Sequence, residues 1–288
     1  MPSLTLAERA SLVGPLDYKV LKTIYSLHRN HEWIRTSELV EETGLSLREL
    51  QPVLVKLYDL RLLSKQIVTG EHSYRITFTA LDILAIKKLY VDKVLKSLGI
   101  VIGVGKESEV YMGYNFSDEP VVVKFHRVGK RSYKNIRKIR NISKNKDWSI
   151  ISVENAEKEY HALSCIKKNY GYVPEPFSNA YNAVVMELVE GNELYRSELD
   201  DPRGVLDQII STVRIAYNEC KMIHGDLSEY NVLVRDNTAY VIDWPQWSST
   251  DNEDLLVRDI DHILAYFIKR YGIEENTEKI LEYIKGKT

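Results

Sequence analysis

One octapeptide and the aspartate that follows it constrain this chain more than any other feature: His224-Gly225-Asp226-Leu227-Ser228-Glu229-Tyr230-Asn231, then Asp243 twelve positions later. Between Asn231 and Asp243 lie two short apolar stretches, 232–234 and 239–242, joined by the turn-rich Arg235-Asp236-Asn237-Thr238, a pattern that predicts a β-hairpin. Such a hairpin brings Asn231, at the start of one strand, and Asp243, at the end of the other, to the same rim. A single Asp or Asn in a loop usually caps or turns the backbone. Three at this spacing make a set with a chemical meaning. Phosphoryl transfer needs hard oxygen ligands for a divalent cation and a separate carboxylate beside the attacking hydroxyl. Asp226 fits the proton acceptor, and Asn231 and Asp243 fit ligands for Mg²⁺ or for Mn²⁺ in its place.

The chain has 288 residues, enough for two domains, and its 44% apolar content is enough to build real cores. A formal charge of −2 excludes a generic polyanion binder. The two cysteines, Cys165 and Cys220, show no CxxC spacing, so reduced thiols, no structural zinc and a cytoplasmic setting are expected. No apolar run approaches the ~20 residues of a membrane span, and no signal-peptide core is visible near the N-terminus, which again fits a soluble intracellular protein.

In the first ninety residues, Leu16, Val20, Leu21, Ile24 and Leu27 recur at helical spacing, and a second amphipathic stretch runs over 36–43 to Gly44, a C-terminal cap. A third helix opens on Ser46-Leu47-Arg48-Glu49, a capping box, with Leu45 and Leu50 placed to staple it and Pro52 placed to kink its early turns. Residues 66–69 and 74–78 around Gly70-Glu71 alternate like a β-hairpin. Three helices and a hairpin in this order predict a winged helix. Its third helix either meets nucleic acid through Arg48, Gln51 and Lys56 or serves as a small packing or protein-binding module, since Glu49 and Asp59 dilute its charge. A connecting helix with Leu81, Leu84, Ile86 and Leu89 follows, and composition shifts over 92–98.

Beyond that shift, Ile100-Val101-Ile102 is a β-branched strand signal, and Gly103-Val104-Gly105-Lys106-Glu107-Ser108-Glu109-Val110-Tyr111 follows it. The glycines fall at a strand-to-strand turn, where backbone amides can approach triphosphate oxygens closely. A GxG alone also describes an ordinary glycine hairpin. Ser108 stands where G-x-G-x-x-G loops carry a third glycine, and its hydroxyl can donate to a phosphate. Lys124 lies on another β-branched strand, nineteen residues past Gly105, as expected for a lysine that grips α- and β-phosphates. An amphipathic helix over 156–166 carries Glu157 and Glu159, either of which can pair with Lys124. The stretch 184–191 reads as a buried strand leaving into a linker, with the backbone of Glu187, Leu188 and Val189 available to adenine and Met186 lining its pocket.

Residues 127–146 hold nine Lys or Arg and no acidic residue, which leaves the rest of the chain at −11. Such a run is a solvated loop or a polyanion contact; RNA is the natural polyanion, with Lys130, Arg131, Lys134, Arg137 and Lys138 as candidate contacts.

Taken together, Gly103–Tyr111, Val123-Lys124-Phe125-His126, Met186-Glu187-Leu188, His224–Asn231 and Ile242-Asp243-Trp244-Pro245-Gln246 resemble the RIO-type atypical protein kinases, and the winged helix resembles one subfamily of them. The resemblance implies an α+β protein in three parts: a winged helix with its connecting helix (1–91), a kinase N-lobe (92–190) and a reduced C-lobe (191–288). It further implies ATP as substrate, Mg²⁺, serine autophosphorylation, and an ATPase-like role in maturing the small ribosomal subunit, with pre-subunit RNA and proteins as partners. Asp226 becomes the catalytic base by this resemblance, Asp243 both a metal ligand and an acceptor that forms an aspartyl-phosphate, and Glu159 rather than Glu157 the partner of Lys124. The chain departs from ordinary kinases at Gly225, which replaces the arginine of H-R-D, at Trp244-Pro245, which replace Phe-Gly, and in lacking A-P-E. After Asp243 there is room for about two helices, over 255–271 and 277–285, and not for a peptide-docking subdomain; this suits a compact, archaeal-type member with slow turnover. Two other readings stay open: a small-molecule phosphotransferase of the aminoglycoside or choline kind, which shares H-G-D-x-x-x-x-N, and a non-catalytic, nucleotide-gated RNA-binding scaffold.

Overall fold

The computed structural model describes residues 4–28, 31–128 and 147–286. Local signals set the first elements. Thr5 and Glu8 form a capping box that opens α1 (Leu6–Leu12), a helix not expected from the sequence periodicity. α2 (Pro15–His28) follows, then β1 (Ile34–Arg35) and α3 (Thr36–Thr43), which ends on Gly44 at φ 69°, a left-handed cap that glycine adopts without strain. The Ser46–Glu49 box opens α4 (Leu47–Asp59), which runs on through Pro52. β2 (Leu63–Val68) and β3 (Glu71–Ile76) form the predicted hairpin, and β1 adds to it in the order β1-β3-β2. Phe78, expected in the second strand, instead starts α5 (Phe78–Val91), because the Thr77 side chain caps that helix.

Leu21, Ile24, Leu39, Leu50, Leu54, Leu57, Leu62 and Ile76 fill the core of this helix-and-wing module. α5 is buried on most of its circumference, Asp82 included. The chain then forms a meander of β4 (Ser97–Val104), β5 (Ser108–Tyr114) and β6 (Pro120–His126), antiparallel throughout.

By its internal contacts the chain divides into two compact units, Met1–Glu154 with Asn179–Ala183, and Asn155–Ser178 with Val184–Thr288. α6 (Trp148–Lys168), longer than the sequence pattern suggests, and the strands β7 (Pro176–Ala180) and β8 (Ala183–Glu187) run across this division. The second unit holds β9 (Asn192–Glu193), α7 (Pro202–Asn218), β10 (Met222–Ile223), β11 (Val232–Arg235), β12 (Thr238–Val241), β13 (Ser248–Ser249), α8 (Glu253–Tyr271) and α9 (Thr277–Ile284). β12-β11-β9 form one small antiparallel sheet and β10-β13 another. Fully buried Trp244, Ile260, Ile263 and Phe267 anchor α8 in this unit's core.

Cys165 and Cys220 correct the expectation of reduced thiols: they form a disulfide, with 5.9 Å between their Cα atoms, inside the usual range. The cause is tertiary. The chain turns at Gly171, where a β-carbon would collide with the Ile166 side chain, and the Tyr172 N–H donates to Thr212 Oγ1 at 3.0 Å. The end of α6 is thereby brought to the end of α7, and two cysteines 55 residues apart meet.

Candidate active site

In the first unit, β4 and β5 close on a tight loop in which the Gly105 N–H donates to Ser108 O at 2.8 Å. A β-carbon on Gly105 would stand 3.2 Å from Ser108 Oγ, so glycine lets the serine hydroxyl fold over the loop. Gly103 pairs with Val110, and Val110 pairs with Lys124, so these three residues form one row across the meander. Directly opposed residues in antiparallel strands share a face. Val110 and Lys124 therefore lie on one side, and Glu109 and Phe125, opposed in turn, on the other. Lys124 is buried within β6, while Val104, Gly105 and Lys106 at the loop tip are exposed.

In the second unit the catalytic-type loop is assembled by hydrogen bonds that the sequence spacing implies. Asn231 Nδ2 donates to the Asp226 carbonyl at 2.8 Å, and the Ile242 N–H donates to Asn231 O at 2.9 Å. Asp226, Asn231 and the backbone leading into Asp243 are thus tied in one knot. His224 completes it: its Nε2 lies 2.9 Å from Ile242 O and its Nδ1 accepts from the Asp226 N–H at 3.3 Å. That pair of partners assigns the neutral tautomer with the proton on Nε2. Asp243 sits at φ 68°, a left-handed conformation uncommon for a residue with a side chain, of the sort that clusters at functional loops. Gly225, at φ 82°, takes a backbone shape that an arginine would adopt only with strain, a physical reason for the departure from H-R-D.

Reading the sequence did not single out Asp259, on α8. Its Oδ2 accepts the Gly225 N–H at 2.6 Å and its Oδ1 the Leu227 N–H at 3.1 Å, so one buried carboxylate grips the backbone on both sides of Asp226. Burial pushes its pKa up; the two N–H donors and the nearby Arg258 oppose that shift. Arg258 donates to the Gly225 carbonyl as a third tether. The signal was present: Asp259 interrupts the apolar stripe Leu256, Ile260, Ile263, Leu264, and a carboxylate on a buried helix face needs a partner.

A profile of the RIO domain matches residues 109–280, and one of the Rio2 N-terminal domain matches residues 11–93. The chain is 33% identical to the RIO-type serine/threonine-protein kinase Rio2 of Methanocaldococcus jannaschii, over 88% of this chain and 96% of that one. It belongs to the Rio2 family of RIO-type serine/threonine protein kinases. Identity to the Saccharomyces cerevisiae Rio2 kinase is 31%, over 94% of this chain and 67% of the yeast protein. Among solved structures, the Chaetomium thermophilum Rio2 kinase–ADP/Mg²⁺–phosphoaspartate complex superposes with a TM-score of 0.81 at 25% identity, covering 94% of this chain and 86% of that one. The fold is therefore that of the Rio2 kinases, a winged helix followed by a reduced kinase-like domain.

Within this Rio2 member, Glu159 is buried and Glu157 exposed. Met186 and Val189 are buried, and the Glu187 N–H is already given to Glu175 O at 2.8 Å. On α4, Arg48 is exposed, while Lys56 pairs with Asp17 at 2.5 Å. Lys130, Arg131, Lys134, Arg137 and Lys138 lie outside the described residues. Arg127, counted with that basic run, is instead paired with Asp82 and Glu109.

Proposed function

We propose that this kinase transfers the γ-phosphoryl group of ATP to serine, its own included, with Mg²⁺ (or Mn²⁺) held by Asn231 and Asp243, and that it acts as a slow ATPase-like switch in maturing the small ribosomal subunit. The observation that carries this reading is the knot of Asp226, Asn231 and the strand end before Asp243. The donor set fits the cation. Asn231 spends its Nδ2 on the Asp226 carbonyl, and its Oδ1, with the Asp243 carboxylate, offers hard oxygens of the kind Mg²⁺ takes together with phosphate oxygens and water. When bound, that ion neutralises charge on the phosphates.

The Asp226 carboxylate accepts the proton of the serine hydroxyl as its oxygen bonds to the γ-phosphorus and the bond to ADP breaks. Lys124, with Glu159 as its partner, grips the α- and β-phosphates; Gly103, Val104, Gly105, Lys106, Glu107 and Ser108 cover the triphosphate, and Val110 contacts the base. Since the Glu187 N–H is taken, adenine falls to the Glu187 carbonyl and the Val189 N–H, past Leu188 and beside Met186. The similarity to a Rio2 kinase solved as an ADP/Mg²⁺–phosphoaspartate complex supports a second chemistry at the same site. There the Asp243 carboxylate itself attacks the γ-phosphorus, ADP leaves, and water later cleaves the acyl phosphate to restore the carboxylate. We assign the parts as 1–91, 92–190 and 191–288, place the protein in the cytoplasm, and give it pre-subunit RNA and proteins as partners through Arg48, Lys56 and the basic run.

Asp226→Ala is expected to keep ATP binding and to lower phosphoryl transfer ~10²-fold or more, as loss of a general base does. An unchanged rate would leave only a nucleotide-gated scaffold. Radiolabel on Asp243 is recognised by its lability to hydroxylamine; label confined to serine would remove the acyl-phosphate step.

A further inference from the structure

Arg127 stands where three pieces of the first unit meet. Its Nη2 donates to the Asp82 carboxylate, in the middle of α5; its Nη1 donates to the Glu109 carboxylate, at the start of β5; and its backbone N–H donates to Glu107 O at 2.6 Å. Glu107 and Glu109 flank Ser108. One arginine therefore fixes the residue before and the residue after the serine whose hydroxyl folds over Gly105. Its side chain works from the back of the meander, on the Glu109 side, opposite the row of Val110 and Lys124.

The other end of this link is built as firmly. Asp82 is fully buried, in a helix that carries the winged helix's core, and a carboxylate is among the costliest groups to place there. It is held by Arg127 and by Asn182 Nδ2 at 2.7 Å, while the same Nδ2 donates to the His126 carbonyl at 2.9 Å and the His126 N–H donates to Asn182 O at 2.8 Å. Residues 126 and 127 are thus clasped from both sides. Tyr111 adds a hydrogen bond from its hydroxyl to Glu109 Oε2 at 3.0 Å. A buried ionic cluster seldom exceeds well-packed apolar residues in stability; what it adds best is a fixed register between the elements it joins. Here those elements are the helix that leaves the winged helix and the loop between β4 and β5.

We propose that Arg127 is a positioning residue that sets the Gly105–Ser108 loop for the triphosphate and that, through Asp82, it couples the winged-helix module to the enzyme's hold on nucleotide. This rests on the reading of that loop as the phosphate-covering loop. It makes the winged helix more than a docking module: whatever strains α5 changes the loop on the far side of the sheet. Glu109 and Asp82 are held at once by different nitrogens of the one guanidinium, so losing the Asp82 contact loosens the group that fixes both flanks of Ser108.

The test compares ATP with adenosine, which lacks the phosphates the loop would cover. In the full-length protein with Mg²⁺, Arg127→Met is expected to raise the ATP dissociation constant about tenfold, the effect of roughly one lost charge-assisted hydrogen bond, and to leave adenosine binding within about twofold. Asp82→Asn, which touches only the α5 end, is expected to shift ATP in the same direction by about threefold, and Arg127→Lys to fall between Met and wild type. Equal losses for ATP and adenosine would mark a merely structural role and overturn the proposal, as would unchanged ATP affinity in Arg127→Met. If Arg127→Met does not fold, Asp82→Asn and Arg127→Lys decide on the same criterion. Wild-type protein that bound adenosine as tightly as ATP would instead remove the phosphate-loop reading, and the proposal with it.

Discussion

Asp259→Asn separates holding the catalytic loop from building it. The wild-type carboxylate receives two backbone N–H groups, from Gly225 at 2.6 Å and Leu227 at 3.1 Å, and Asp226 lies between them. Hydrogen bonds to an ionised acceptor contribute about 1.5–3 kcal/mol each. The amide retains one acceptor oxygen and turns an NH₂ group toward the second N–H, so one bond is lost and one donor near a buried side chain is left without a partner. The sum is about 3–5 kcal/mol directed at three residues. The Arg258 contact to the Gly225 carbonyl survives, so the loop shifts rather than unfolds. A displacement of about 1 Å at a reacting group costs on the order of 10²-fold in rate. Single-turnover transfer from γ-labelled ATP is therefore expected to slow about 10²-fold, with ATP affinity close to wild type because none of the residues assigned to the nucleotide touches Asp259. Acid inhibition is expected to weaken too: burial raises the Asp259 pKa, so in the wild type this carboxylate loses its ionised, accepting form at a higher pH than an ordinary aspartate would. A variant folded as well as wild type, with transfer within twofold, would refute the account of Asp259 as the clamp on Asp226.

Two further outcomes follow from buried groups elsewhere. The Cys165–Cys220 disulfide closes a 55-residue loop, for which chain entropy gives about 4 kcal/mol of stabilisation; denaturant unfolding with and without reductant should differ by several kcal/mol, and two titratable thiols in the native protein under oxidising conditions would contradict the pairing. Burial pushes the Asp82 pKa up to about 6 despite Arg127 and Asn182, so the folded state binds this proton more tightly than the unfolded chain. The group's contribution to stability is then greatest below the unfolded aspartate pKa near 4 and declines as pH rises through 6, by up to about 3 kcal/mol. Relative to Asp82→Asn, wild type should gain stability on going from pH 7 to pH 5, and a difference independent of pH would remove the shift.

What the sequence made legible was local. Asp226, Asn231 and Asp243 fall within eighteen positions, and the hairpin that joins them is declared by its own turn residues, so spacing alone reported their convergence. The Ser46 capping box and the Gly44 cap likewise work within one turn of helix. The same kind of box at Thr5–Glu8 was there to be read and marks α1. What was not legible is long-range. Asp259 reaches Gly225 across 34 positions, Arg127 reaches Asp82 across 45, and Cys165 reaches Cys220 across 55; no periodicity connects such residues. Arg127 shows the cost most clearly. In a run of nine cations it looks like one more solvent-facing charge, whereas burial and two carboxylates hold it inward, and despite the opposing cost of burial its pKa is raised by Asp82 and Glu109.

The same distinction between charges present and charges available bears on α4. Of its four charged side chains, Glu49 closes the capping box with Ser46, and Lys56 is paired with the largely buried Asp17. Salt-dependent affinity for nucleic acid scales with the phosphates that cations neutralise, and a lysine already paired has to break its bridge before it contributes. Gln51 lines a groove of about 620 Å³ with Leu12, Pro52, Val55 and Leu60, where Asp59 and the already paired Lys56 are the charged members, beside exposed Leu47 and Tyr58. Arg48, by contrast, is exposed and has no hydrogen-bond or ion-pair partner among the described residues. In the RNA contact proposed above, α4 therefore brings shape and apolar surface more than charge, and the salt dependence of that contact is expected to fall with substitution of Lys130, Arg131, Lys134, Arg137 and Lys138 rather than of Lys56.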